Sequence, residues 1–112
     1  MEFINLTPHA VTVDSDLDHG APTITFPPSG GRATIVFEPV RDQVLWGFVI
    51  RPRSRVAEVT GLPEPRDGTF YIVSTMVRDA LAGVRNDLVT QDSGPDATRA
   101  NGQVISVRRF IR

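Results

Sequence analysis

The chain has 112 residues, a length that suits one domain and allows roughly two-thirds of the unfolded surface to be buried without a metal or disulfide staple. Cysteine is absent, which excludes disulfides, thiolate nucleophiles and cysteine metal sites; the 40 % hydrophobic and 22 % charged content is that of an ordinary globular protein. A net charge of -1 argues against nucleic acid as a partner, and no apolar run approaches the roughly 18 residues of a membrane span, so a cytoplasmic protein without membrane attachment is expected.

Glu2 stands where a signal peptide carries a base, which fits the same setting. All twelve basic residues are arginine. Guanidinium suits bidentate anion binding, but the accompanying wealth of Gly, Pro, Ala and Val assigns most of the lysine deficit to a GC-rich coding bias.

In chain order, Pro and Gly punctuate runs rich in Val, Ile, Thr and Phe. Strands are expected at 2–6, 10–14, 23–27, 33–38, 44–51, 55–60, 69–74, 87–90 and 103–110. The expected fold class is α+β: a single β-rich domain over 1–112, mostly an antiparallel sheet with barrel-like closure as one form, and one short helix packed on it.

The first strand runs into "INLTPHAVTV", residues 4–13. Apolar positions are even before Thr7-Pro8-His9 and odd after it, so this segment either reverses the chain in a turn, the preferred form, or inserts a bulge. Either device exposes His9 near Asn5 and Thr7 at a strand end, where functional side chains are often aimed; the plainer reading is that Asn5 and Thr7 satisfy turn amides. "DSDLDH", residues 14–19, reads as a solvated loop without metal-ligand spacing, and "PSGG", residues 28–31, as a turn between strands.

"VLWGFVIR" reads as one continuous strand with Trp46 and Phe48 on one face and Gly47 on the other. With so many apolar strands for one helix to cover, and Trp46 on a candidate edge, a homo-oligomer is expected. "TGLPEPRDGT" is a stiff loop. "TFYIVS" is apolar on both faces and therefore central. "STMVRDALAG" then places Met76, Val77, Ala80, Leu81 and Val84 on one stripe of a helix over about 75–83, with Ser74 or Thr75 as cap, Gly83 as stop and Leu81 as main anchor.

"DLVTQDSGPDATR" offers Asp92, Ser93 and Arg99 as a loop able to hold an anion, against the plainer reading of a polar connector; its spacing fails the calcium-loop pattern. Asn101-Gly102 predicts a tight hairpin pairing 97–100 with 103–107. No phosphate-binding glycine loop, zinc-protease or serine-hydrolase motif is present, so no catalytic residue, cofactor or metal is assigned.

The combination of Asn5-Leu6-Thr7-Pro8-His9, "GLPEP", "YIVS", "DLVTQDSGP" and "GQVISVRRF" resembles a family of short uncharacterised proteins of actinobacteria, their phages and mobile elements. The resemblance implies a prokaryotic or viral cytoplasmic setting and function by binding, and no activity. Three expectations follow. The first is a small binding protein for a nucleotide-like anion, using Asn5, Thr7, His9, Asp92, Ser93 and Arg99. The second is a small phosphodiesterase or other hydrolase centred on His9. The third is a structural or host-protein interaction module, marked by an apolar patch around Trp46.

Overall fold

The computed structural model describes residues 1–14 and 23–112; most of the acidic stretch ending at His19 lies outside the described residues. The elements are β1 (Glu2–Asn5), β2 (Val11–Val13), β3 (Ile24–Phe26), β4 (Thr34–Phe37), β5 (Gln43–Leu45), β6 (Phe48–Ile50), β7 (Val56–Thr60), β8 (Thr69–Ile72), α1 (Thr75–Ala80), β9 (Leu88–Gln91), β10 (Thr98–Ala100), β11 (Gln103–Ser106) and β12 (Phe110–Ile111). Strands dominate and most pairings are antiparallel, with one short helix, so the class is α+β as expected. Among the described residues the strands do not close into a barrel. They form one open four-stranded sheet and four two-stranded ribbons.

β8 is central, as its doubly apolar sequence requires. The sheet order is β1-β8-β9-β12, with β1 and β9 parallel to β8 and β12 antiparallel to β9. Side chains alternate to opposite faces along each strand. Tyr71 and Val73 join Leu6, Leu88 and Val77 of α1 in one buried cluster. Ile72 joins Val11 and Val89 in the other, backed by Phe3, Phe26, Phe70 and Phe110 with ring centroids 5.2–5.7 Å apart. The β2–β3 ribbon covers this second face, and Val107, just past β11, bonds beside β2: its amide donates to the Thr12 carbonyl (3.0 Å) and its carbonyl accepts from the Asp14 amide (2.8 Å).

α1 connects the parallel strands β8 and β9. Six residues cannot hold a helix alone, so tertiary contact sustains it. Ser74 caps it, its Oγ accepting from the Val77 amide at 3.3 Å, and Val77 is its buried residue. The helix stops at Ala80, shorter than expected, because Leu81 is already the C-cap with its chain leaving helical geometry. Met76 and Val84 therefore face solvent, and the anchor is Val77 rather than Leu81, which is only partly buried.

Two further expectations are corrected. Residues 44–51 are not one strand: Trp46 (φ 55°) and Gly47 (φ 81°) turn the chain back, and β5 pairs β6 from Gln43↔Ile50 to Leu45↔Phe48. Trp46 and Phe48 therefore do not share a strand face. Thr7-Pro8-His9 is neither a hairpin turn nor a bulge, since β1 and β2 pair with different strands; it carries the chain from the central sheet to the β2–β3 ribbon. "PSGG" likewise joins strands of different ribbons. Asn101-Gly102 does close the expected hairpin, with φ of 53° and 78°.

The β4–β7 ribbon packs on the core only at its body end, through Ala33, Ile35 and Val59. There Gly61 (φ 80°) lies so near the Arg32 carbonyl that a Cβ would stand 2.1 Å from its oxygen. A register shift at Val36/Phe37 bends the ribbon, the Glu38 amide donates to the Arg55 carbonyl at 2.7 Å, and β5–β6 continues outward. The result is an arm on a molecule measuring 60 × 35 × 25 Å.

Candidate functional site

The arm is built from residues that normally make a core. Every residue from Val36 to Arg51 is exposed. Trp46, at the tip, is 97 % exposed, Phe48 73 %, and Val44 and Val49 69 % each. Isolated surface hydrophobics are ordinary; here the large apolar residues Val44, Leu45, Trp46, Phe48, Val49 and Ile50 are all exposed within one hairpin. The tip also departs from local backbone preference. Trp46-Gly47 and Asn101-Gly102 adopt the same primed hairpin turn, both residues with positive φ. Asn suits that first position; a bulky side chain there costs about 1–2 kcal/mol. The chain thus uses the favourable residue in one hairpin and an exposed, strained tryptophan in the other.

Beside the arm's root lies a groove of about 380 Å³ between β4, α1 and the Thr7-Pro8 turn. Ile35, Phe37, Met76 and Val77 are among its apolar lining residues, and Arg32 is the charged residue that lines it. Met76 is 58 % exposed there.

A second concavity, about 310 Å³, opens past the C-terminal ends of β8 and β9, the edge of a parallel sheet at which ligands commonly bind. It gathers Thr7, His9, Ser74, Thr75, Thr90 and Ser93. Three of the residues expected at a site therefore meet. The other three are engaged elsewhere. Asn5 is 2 % exposed and fully used: its Nδ2 donates to the carbonyls of His9 (2.8 Å) and Phe26 (2.9 Å), and its Oδ1 accepts from the Thr7 amide (2.9 Å) and hydroxyl (2.6 Å). Arg99 donates to the carbonyls of Gly94 (3.1 Å) and Ser93, clamping the loop instead of projecting from it. Asp92 receives Arg109 at 2.7 Å, and the same guanidinium spans to Asp96 at 2.7 Å. Arg109 and the Gly94 amide hold the Asp92 carboxyl below the usual carboxylate range. Among the described residues, no buried side-chain polar atom is left without a partner.

No family model, curated protein or solved structure matches this chain. Among the described residues no helix is long and apolar enough to cross a membrane.

The arm was legible only in part. Its apolar run was plain, but the turn was hidden because Trp-Gly is not a usual hairpin signal; the glycine after an aromatic in the middle of a seven-residue apolar run was the available sign. Ser74, Thr75 and Thr90 reach the second concavity only because the β8-α1-β9 connection brings two strand ends together, which no spacing in the sequence announces.

Proposed function

We propose that the chain is a protein-interaction module that engages a polypeptide partner through the β5–β6 arm. The observation that carries this reading is the exposed run Val44–Ile50, with a tryptophan held at positive φ on its tip. Aromatic side chains at the centre of a contact supply most of the binding energy in typical interfaces. A cytoplasmic setting belongs to this reading and is compatible with a chain free of cysteine. A photoreactive amino acid placed at Val44 in cells of the native host tests it: covalent adducts to polypeptide are expected, and their absence overturns the reading.

A second reading, a binder of a nucleotide-like anion, draws on the meeting of Thr7, His9 and Ser93 at one concavity. Arg99 would serve it only by shaping the loop. A site filled at one hundred times its dissociation constant stabilises the fold by about 2.7 kcal/mol. A thermal-shift panel of mono-, di- and cyclic nucleotides should then raise the melting temperature by several degrees; no shift removes this reading. Recovery of a cleaved nucleotide would instead support a hydrolase with His9 as base.

A further inference from the structure

We infer that the polypeptide engaged by the arm is acidic: an extended segment that pairs its backbone with the free edge of β5 or β6 and sets its carboxylates against the arginines at the arm's root. The inference rests on the interaction reading above and adds to it the chemistry of the partner.

The arm offers backbone as well as side chains. β5 and β6 pair only with each other, from Gln43↔Ile50 to Leu45↔Phe48. Among the described residues no other backbone hydrogen bond reaches residues 43–50. Each strand therefore keeps amides and carbonyls open along its outer edge, the template to which an extended peptide adds as a further strand. Hydrocarbon supplies no hydrogen bonds to such an edge, and open edges do not enter it. A two-stranded hairpin is marginal in water, and a third strand steadies it.

Charge then selects among polypeptides. Arg41, Arg51, Arg53 and Arg55 against Glu38 and Asp42 give residues 38–55 a net +2, and all six side chains are exposed. One pair cancels: Arg51 donates to Asp42 at 2.8 and 3.2 Å. Among the described residues Arg41, Arg53 and Arg55 form no ion pair. The four arginines belong to the connections entering and leaving the hairpin, so they stand at its root, while Val44–Ile50 carries no charge. The complement is a strand with apolar residues toward one end and Asp or Glu toward the other, whose carboxylates guanidinium receives bidentately. A basic strand meets like charge and is rejected. The arginines thus set partner choice and encounter rate, and the apolar side chains of the hairpin supply contact area.

The probe is a short capped peptide of alternating Val and Glu, titrated into the protein and followed by the emission of Trp46, the chain's one tryptophan. The expected result is a saturable shift to shorter wavelength, with affinity falling several-fold as salt rises from about 50 to about 500 mM. Arg53→Gln combined with Arg55→Gln, at exposed positions, should fold as the wild type does and bind the peptide several-fold more weakly. The same peptide with Lys in place of Glu should give no shift, and neither should the Glu peptide with every amide methylated. No shift with the Glu peptide overturns the inference, and the adducts from Val44 then decide separately whether the arm engages protein at all. Equal binding of the Lys peptide, or undiminished binding by the double variant, overturns the arginines as the selecting groups. Equal binding of the methylated peptide overturns strand addition. A shift with phosphatidylglycerol vesicles or polyuridylate but not with the Glu peptide overturns the inference in favour of a bilayer or a nucleic acid. A shift that grows with protein concentration alone overturns it in favour of a second copy.

Discussion

Asn5 carries more of the structure than its size suggests. Its one amide group binds three separate pieces of backbone: the Thr7 amide, the His9 carbonyl and the end of β3 at Phe26. Truncation strands several buried polar groups at about 1–3 kcal/mol each. Asn5→Ala should therefore cost at least about 3 kcal/mol and lower the melting temperature by more than about 10 °C. Asp87 is a second such residue. It pairs with Arg85 through two hydrogen bonds of 3.0 and 2.6 Å, while Arg85 also reaches the Pro63 carbonyl and stacks over Tyr71. Arg85 holds the Asp87 carboxyl below its ordinary range. The stability this confers is present above the unfolded carboxylate value of about 3.9 and is lost as pH falls through the lower folded value. The side chains are only 15 % and 12 % exposed. Asp87→Asn should thus cost about 3 kcal/mol near neutral pH, and the penalty should shrink in acid. Denaturant melts at several pH values check both magnitude and sign. The turn half of the Asn5 role is legible in the sequence, where Asn5 and Thr7 are read as satisfying turn amides; its bond to Phe26 and the Arg85 bond to the Pro63 carbonyl are not, because those partners are more than twenty residues away.

At the scale of elements, the legible parts were those set by local periodicity. β8 announced itself by being apolar on both faces, and the 98–106 hairpin by Asn101-Gly102. The helix was legible in position but not in length. The apolar stripe ran on to Val84, whereas the chain leaves helical geometry at Leu81, so that the buried contact falls on Val77. Val77→Ala should accordingly cost about 2 kcal/mol and Leu81→Ala about 1, although the leucine loses more atoms. Thermal unfolding of the two variants side by side distinguishes them; the reverse order would mean that the helix extends as the periodicity suggests.

The whole molecule divides into a body with two buried clusters and an arm that contributes to neither. Excising residues 39–54 and joining Glu38 to Arg55 through Asn-Gly preserves the Glu38–Arg55 hydrogen bond and restores a favourable hairpin turn. The shortened chain should melt within a few degrees of the full-length monomer, and a collapse of the melting temperature would show that the arm supports the body.

The pairing of Glu2 with Thr69 also sets an order of events. During synthesis the N-terminal strand has no mate until β8 has left the ribosome, whereas the arm, whose strands are joined by a two-residue turn, is complete well before that. Long-range parallel pairing is slow, and hairpins close in microseconds. A nascent or refolding chain therefore displays its exposed apolar tip before it owns a finished body. Refolding yield should fall as concentration rises, and Trp46→Asn should recover much of the loss at the same concentration.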